Sequence, residues 1–441
     1  MQSNLSIIIL AAGKGTRMKS SIPKVLHKMS GKEMLYYSIE EAKKLSNDIH
    51  VVLYHQSELV KSSMDKYFDD ITYHIQDHDK YPGTGGAVMG ITPKNEKVLV
   101  LNGDMPLIEA DELRQLTEDD NTHQAENQKL TMSVLNLECA DGYGRVVIEK
   151  GKVSRIIEQK DCSSYELEIM TANAGIYCFD TQFLLESLPK LSNNNAQEEY
   201  YITDLVEIAV KEDIAIRPVV VKEENFKGVN SKFDLANAEV IHQNRIKTNF
   251  LKAGITMKLP DTIYIEHSVE IEGETVLENG VTLLGNSKIS NSIIKTNSIV
   301  EDSILENSDI GPMARIRPLS ILKDTHIGNF VEVKKSHLTG VKAGHLAYLG
   351  DSTIEEGTNV GAGTITCNYD GINKHKTIIG KNVFIGSDTQ LIAPVTIEDN
   401  AMIAAGSTIT ADVKSGDLAI SRTKQKSIKG FFHKFFNSNE K

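Results

Sequence analysis

A chain of 441 residues with 40% hydrophobic and 24% charged content carries enough apolar material for two or three ordinary domains. Its formal charge of −12, from 60 acidic against 48 basic side chains, argues against a general nucleic-acid binder. No apolar run approaches the roughly 18 residues that span a bilayer, and no basic segment precedes the first short apolar stretch, so neither a membrane span nor a signal peptide is expected.

Cys139, Cys162, Cys178 and Cys367 are widely and irregularly spaced. They fit reduced thiols in a cytoplasmic protein better than a disulfide framework or a zinc site.

In chain order, Ile7–Leu10, His50–Tyr54, Val98–Asn102 and Met132–Leu137 read as strands. Helix-like spacing lies between them over Pro23–Leu45 and Asp111–Thr117. Alternation of this kind predicts an α/β, Rossmann-like domain with a mostly parallel sheet covered by helices. Ligands of such sheets sit outside the carboxyl ends of the strands. The loops at Ala11 and Gly103 each follow a strand and therefore belong on that edge.

The first of these loops, LAAGKGTRMKSSIPK, is neither a Walker A sequence nor a dinucleotide fingerprint, because Met18 stands where the third glycine would be. Its physics still favours an anion. Ala11, Ala12 and Gly13 let backbone amides approach a phosphate, and Lys14, Arg17 and Lys24 add charge. A tight strand-to-helix turn with solvated lysines is the alternative reading of the loop alone.

LNGDMPL places Asp104 just past a strand, where an acid can hold Mg²⁺ beside substrate phosphates. By itself it is equally a turn aspartate. PGTGGA, at Pro82–Ala87, is a third glycine-dense loop, suited to backbone contact with a flat base.

The second half changes period. Ile265, Ile271, Leu277, Leu283 and Ile289 recur every six residues, accompanied by Ile263, Val269, Thr275 and Val281. Ile379, Ile385, Leu391, Ile397, Ile403 and Ile409 do the same. A period of six is that of a hexapeptide β-solenoid, a left-handed parallel β-helix in which three sixes complete a coil. The rhythm breaks between roughly Arg315 and Tyr369, where longer loops and a binding face are expected. Ser231–Phe250 predicts a connecting helix. Lys414–Lys441 carries seven Lys or Arg against two acids, with Phe431, Phe432, Phe435 and Phe436. Such a tail could meet a membrane surface or a neighbouring subunit.

The string L-A-A-G-x-G-T-R-M…P-K resembles the signature of sugar nucleotidyltransferases. Together with the hexapeptide half and GAGTITCNYDG at Gly361–Gly371, the whole chain resembles one family. It is that of the bacterial bifunctional N-acetylglucosamine-1-phosphate uridyltransferases and glucosamine-1-phosphate N-acetyltransferases. The resemblance implies a uridyltransferase domain over 1–232, a linker helix over 233–253 and an N-acetyltransferase β-helix with tail over 254–441. It implies acetyl transfer from acetyl-CoA, then uridyl transfer from UTP, giving UDP-N-acetylglucosamine for peptidoglycan and lipopolysaccharide precursors. It also implies Mg²⁺ as cofactor, a homotrimer, and neither nucleic-acid partners nor stable membrane association.

Residue by residue, the family's nucleotide contacts fall on Leu10, Ala11, Ala12, Gly13, Arg17 and Lys24, with Asn102, Gly103 and Asp104 at the second loop. Gln76, Gly83 and Thr84 match the uracil-recognising segment. Gly144, Glu158 and Asn173 match the sugar contacts, and Asp104 and Asn230 the metal ligands. In the second half His345 matches the catalytic base. Arg317, Lys334, Tyr348 and Asn359 match the sugar-phosphate positions. Asn368 and Tyr369 resemble sugar-binding positions and stand with Ala362, Ser387, Ala405 and Arg422 at the acetyl-CoA site. Cys367 reads as a structural thiol, since no base sits beside it in sequence.

Two residues depart from the pattern: Gly86 replaces a histidine, and Asn102 a frequent tyrosine. The spacing from Gln76 to Gly83 is also slightly long. Two rival readings are a nucleotidyltransferase whose β-helix only regulates, and a silent scaffold. His345 and Lys334 argue against the first, and Asp104, Asn230 and Lys24 against the second.

Overall fold

The computed structural model describes residues 4–118, 127–141, 143–149, 151–157, 159, 162–195 and 197–436. It divides into two compact units, Met1–His242 and Gln243–Lys441.

The first unit is built on a sheet whose order is Ala215–Val220, Gln128–Asn136, Thr171–Asp180, Lys97–Asn102, Leu5–Leu10, Asp48–Leu53 and Thr72–Ile75. The last four of these run parallel. Their apolar runs are nearly continuous because both faces are covered. Ile7, Ile9, Leu99 and Leu101 pack into one core, while Ile8, Val98 and Val100 face the other. The chain leaves Leu5–Leu10 and Lys97–Asn102 side by side, with the Gly103 N–H donating to the Leu10 carbonyl at 2.9 Å. Thr171–Asp180 is antiparallel to both its neighbours, so the sheet is more mixed than the sequence predicts.

The helix expected over Pro23–Leu45 is confined to Met34–Lys43. Before it come a 3₁₀ turn at Lys24–Leu26 and a hairpin pairing Lys28–Met29 with Lys32–Glu33. Ser30 (φ 45) and Gly31 (φ 89) both take left-handed backbone, as a tight hairpin turn requires. Met29 and Met34, on either side of this turn, are buried in one small cluster with Tyr37 and Leu107.

The helix Lys232–Lys252 carries the chain across the boundary between units. Within the second unit, the Gln243 side chain accepts from the Ile265 N–H and donates to its carbonyl. The unit is a parallel β-helix of three sheets with ten, nine and eight strands, each strand pairing with the one a full coil later. The two six-residue rows lie inside it. Ile265, Leu277, Leu283, Ile379, Ile385, Leu391, Ile397 and Ile403 are fully buried in a single column.

The expected break over Arg315–Tyr369 is not a break. The coils continue there through Ile316, Leu322, Ile327, Val333, Leu338, Ala343, Leu349, Ile354 and Val360. Their steps shorten to five or six residues because corners such as Leu319, Asp324, Phe330 and Leu346 turn in left-handed backbone. The real insertion lies between the strands Ile365–Cys367 and Thr377–Ile379, as a small hairpin in which Tyr369 bridges Lys374. Among the described residues no helix is long and apolar enough to cross a membrane.

Because the core is one column, a cavity in it is felt by the coils on both sides. Ile316→Ala should destabilise the second unit by about 2–5 kcal/mol, read as a lowered denaturation midpoint of that unit.

Candidate active sites in the two units

At the carboxyl ends of the parallel strands lies a pocket of about 450 Å³. Leu10, Ala11, Ala12, Gly13, Lys14 and Lys24 line it from the first loop, Asn102 and Asp104 from the second, and Gln76, Gly83 and Thr84 from the third. Three stretches far apart in sequence therefore form one wall system.

Its charged centre is Lys24. The ammonium is ion-paired with Asp104 and also donates to Asn230 Oδ1 at 3.1 Å. Arg17 donates to the same oxygen at 2.9 Å. Asn230 Nδ2 donates to the Gly228 carbonyl, which turns the amide oxygen toward the cations. The Asn230 and Ser231 N–H groups both donate to Asp234, and the Asp234 N–H donates back to the Ser231 hydroxyl. This reciprocal cap opens the long helix and fixes Asn230 just before it. Burial alone would raise the Asp234 carboxyl, but the bonds from Ser231 and Asn230 outweigh it and hold it below its usual range.

Asp104 and Asn230 offer two oxygens converging on one cation. That donor set suits Mg²⁺, which takes one or two protein oxygens and completes its shell with water and phosphate. Among the described residues no cluster of three or more His, Cys, Asp or Glu offers an all-protein cage instead.

The third loop explains two departures from the family pattern. Gln76 Nε2 donates to the carbonyls of Tyr81 and Gly83, at 2.9 and 3.0 Å. Both its N–H groups are thus spent, and only the Oε1 acceptor remains for a ligand. The longer segment between Gln76 and Gly83 brings the Tyr81 carbonyl against Gly86, where a Cβ would overlap it. No histidine fits there. Gly83, at φ +90, has the Tyr200 carbonyl where its Cβ would be, 2.6 Å away.

Asn102 Nδ2 donates to the Gly175 carbonyl at 3.1 Å, a reach that suits its short side chain. It is thereby tied to the irregular stretch of Thr171–Asp180 that holds Asn173, whose N–H donates to the Gly144 carbonyl. Gly144 and Asn173 are brought together but do not line the pocket. Glu158 lies outside the described residues. His78 and Glu199 line the pocket without having been anticipated. His78 sits on the lengthened segment and stacks on Tyr54 at 4.5 Å, so that insertion was the available signal. Glu199 had none.

In the second unit, Arg317 and Lys334 are register partners on adjacent strands, with Gly350 next. Arg317 is paired with Glu332 at 2.7 Å, and that bond holds the guanidinium's pKa above its usual value. Tyr348 lies opposite Glu332 in the following coil. His345 ends the strand Lys342–His345 and is exposed, one corner before Tyr348. Asn359 lies opposite Lys342 in the next strand of the same sheet.

The side chain of Asn368 is buried and donates to Asp351 at 2.5 Å. Tyr369, on the inserted hairpin, is exposed beneath the Lys374 ammonium. Ala362, Ser387 and Ala405 lie at one corner of successive coils. Their carbonyls accept from Asp388 N–H, Gly406 N–H and the Arg422 guanidinium respectively. Burial pushes the Cys367 thiol up, which disfavours a nucleophilic thiolate.

Gly86→Ala tests the contact with Tyr81. It should destabilise the first unit by about 1–3 kcal/mol and raise the KM for nucleotide, as measured by denaturation and steady-state kinetics.

Residues 7–131 match the model of the MobA-like NTP transferase domain, and residues 376–411 that of the bacterial transferase hexapeptide, six repeats. Full-length relatives agree on both halves. The bifunctional protein GlmU of Aliarcobacter butzleri is 69% identical over 99% of each chain. Proteins of that name from Wolinella succinogenes and Nitratiruptor sp. are 59% and 56% identical, each over 99% of this chain and 100% of the relative. The chain belongs to the GlmU family and is a bifunctional enzyme of UDP-N-acetylglucosamine synthesis, a nucleotidyltransferase joined to a hexapeptide acetyltransferase.

Proposed function

We propose that uridyl transfer takes place in the pocket at the strand ends of the first unit, and acetyl transfer around His345 in the second. On this reading residues 1–232 carry the first reaction, 233–253 link the two, and 254–441 carry the second. The observation that supports it most is that one pocket is lined by both loops and by Gln76, Gly83 and Thr84.

The Gln76 acceptor suits the N3–H of uracil, whereas cytosine presents an unprotonated nitrogen there. Ala11, Ala12 and Gly13 bring backbone amides to the triphosphate, with Arg17 and Lys24 supplying charge. Gly144, Glu158 and Asn173 hold the sugar. Its phosphate oxygen attacks the α-phosphorus in line, and the bond to pyrophosphate breaks with the electron pair leaving on pyrophosphate. A phosphate monoester is already ionised near neutral pH, so positioning and charge do the catalytic work. Asp104 and Asn230 would hold Mg²⁺, which when bound neutralises charge on the phosphates.

In the second unit Arg317 and Lys334 grip the phosphate of glucosamine-1-phosphate, with Tyr348, Asn359, Asn368 and Tyr369 around the sugar. His345 takes the proton from the amine as its nitrogen attacks the thioester carbon. Collapse of the tetrahedral adduct expels the coenzyme thiolate, which receives that proton. Ala362, Ser387 and Ala405 leave a coenzyme little steric obstruction. Arg422 has N–H groups beyond its bond to Ala405 for a coenzyme phosphate.

His345 is exposed beside a column of apolar corners, Met313, Phe330 and Leu346, at 43, 55 and 62% exposure. These corners favour a homotrimer whose neighbours enclose the acetyl-transfer site; a cytoplasmic location for the enzyme is inferred from its family alone.

Asp104→Ala should abolish pyrophosphate release in the presence of Mg²⁺ while acetyl transfer stays near wild type; loss of both in a folded variant would contradict separate sites. His345→Ala, assayed at fixed pH with saturating acetyl-CoA, should lower acetyl-transfer kcat by about 10²–10⁴-fold and leave uridyl transfer unchanged. A loss below about threefold would assign His345 a structural role instead. Light scattering at micromolar concentration should give three times the chain mass, and a monomer with full acetyl transfer would rule out the shared site.

A further inference from the structure

We propose that the segment Ile420–Phe436 is an interfacial anchor that binds reversibly to an anionic lipid surface. Every residue in it is exposed. It carries Arg422, Lys424, Lys426, Lys429 and Lys434 and no Asp or Glu, within a chain whose formal charge is −12. Its end is the short helix Phe431–Phe436.

At the helical period Phe431, Phe432, Phe435 and Phe436 share one face, and His433 and Lys434 lie on the other. The rings pack along that face, Phe431 on Phe435 at 6.1 Å and Phe432 on Phe436 at 4.6 Å. They nonetheless remain 51–67% exposed, and Ile428 just before them is 63% exposed.

An isolated helix this short is marginal in water. An apolar face rich in phenylalanine, backed by lysines whose stems can lie along the boundary, gains from burial in the headgroup region. Charge decides the occupant. Lys424, Lys426, Lys429 and Lys434, spread along an exposed irregular stretch and a helix, match a surface of continuous, laterally mobile negative charge. A second copy of the chain would present its carboxylates at fixed points. Aromatic insertion and a basic stretch are the two signals that together give peripheral binding, and one short helix keeps it reversible.

The test is flotation of the full chain with vesicles of phosphatidylglycerol and phosphatidylcholine, against phosphatidylcholine alone. At least tenfold stronger partition to the anionic vesicles is expected, falling steeply with salt. Phe431→Ser with Phe432→Ser should weaken it at least fivefold. Lys424→Gln with Lys426→Gln and Lys429→Gln should weaken it similarly and flatten the salt dependence. Both transferase activities should be unchanged in either variant, which shows that the chain is folded. Equal partition to the two vesicle types, or variants that bind like the unaltered chain, would overturn the proposal. So would a variant whose only change is a smaller assembly by light scattering, since the segment would then serve a second copy.

Discussion

The geometry of the first unit converges on one ammonium group. Lys24 meets Asp104 and Asn230, and Arg17 meets the same Asn230 oxygen. Those opposite charges draw the two loops and the segment before the long helix together at the strand ends. The parallel strands supply the other half of the constraint. They deliver both loops to the same sheet edge, and the bond from Gly103 to Leu10 holds the loops adjacent. A cluster of this kind is poised for phosphate, since cations paired only to a carboxylate and an amide can turn to a more highly charged ligand.

The second unit meets the same problem, that of holding polar groups at fixed spacing, by stacking. Each coil repeats the last, so residues a full coil apart become neighbours, as Arg317 and Lys334 do. Buried aliphatics hold the coils at one spacing, and outward side chains inherit that spacing. The polar site is therefore a by-product of the apolar column. Left-handed corners such as Leu346, at φ 48, let the chain turn directly after His345 without lengthening the coil.

Much of this was legible because the physics is local. A six-residue aliphatic period admits one architecture, and glycines beside cations at a strand end admit few. The remainder was hidden for equally physical reasons. Pro23–Leu45 has helix-like apolar spacing overall, yet Ser30 and Gly31 turn the chain back within it. The shortened coils of the middle region look like lost periodicity, since Asn, Asp and bulky residues stand where glycine would announce a corner. Glu199 reaches the pocket only through tertiary folding. Gly86 looks like a lost function in sequence, but in the fold it makes room for the Tyr81 carbonyl.

On the proposed assignment, uridyl and acetyl transfer run at sites that do not depend on each other's residues. Mixing tests this most directly. Asp104→Ala and His345→Ala chains are each supplied with glucosamine-1-phosphate, acetyl-CoA and UTP, first alone and then together. Independent sites should give little UDP-N-acetylglucosamine from either alone and sustained formation from the mixture, because the acetylated sugar phosphate made by one chain is the substrate of the other. A mixture no more active than its components, with both variants folded, would contradict it.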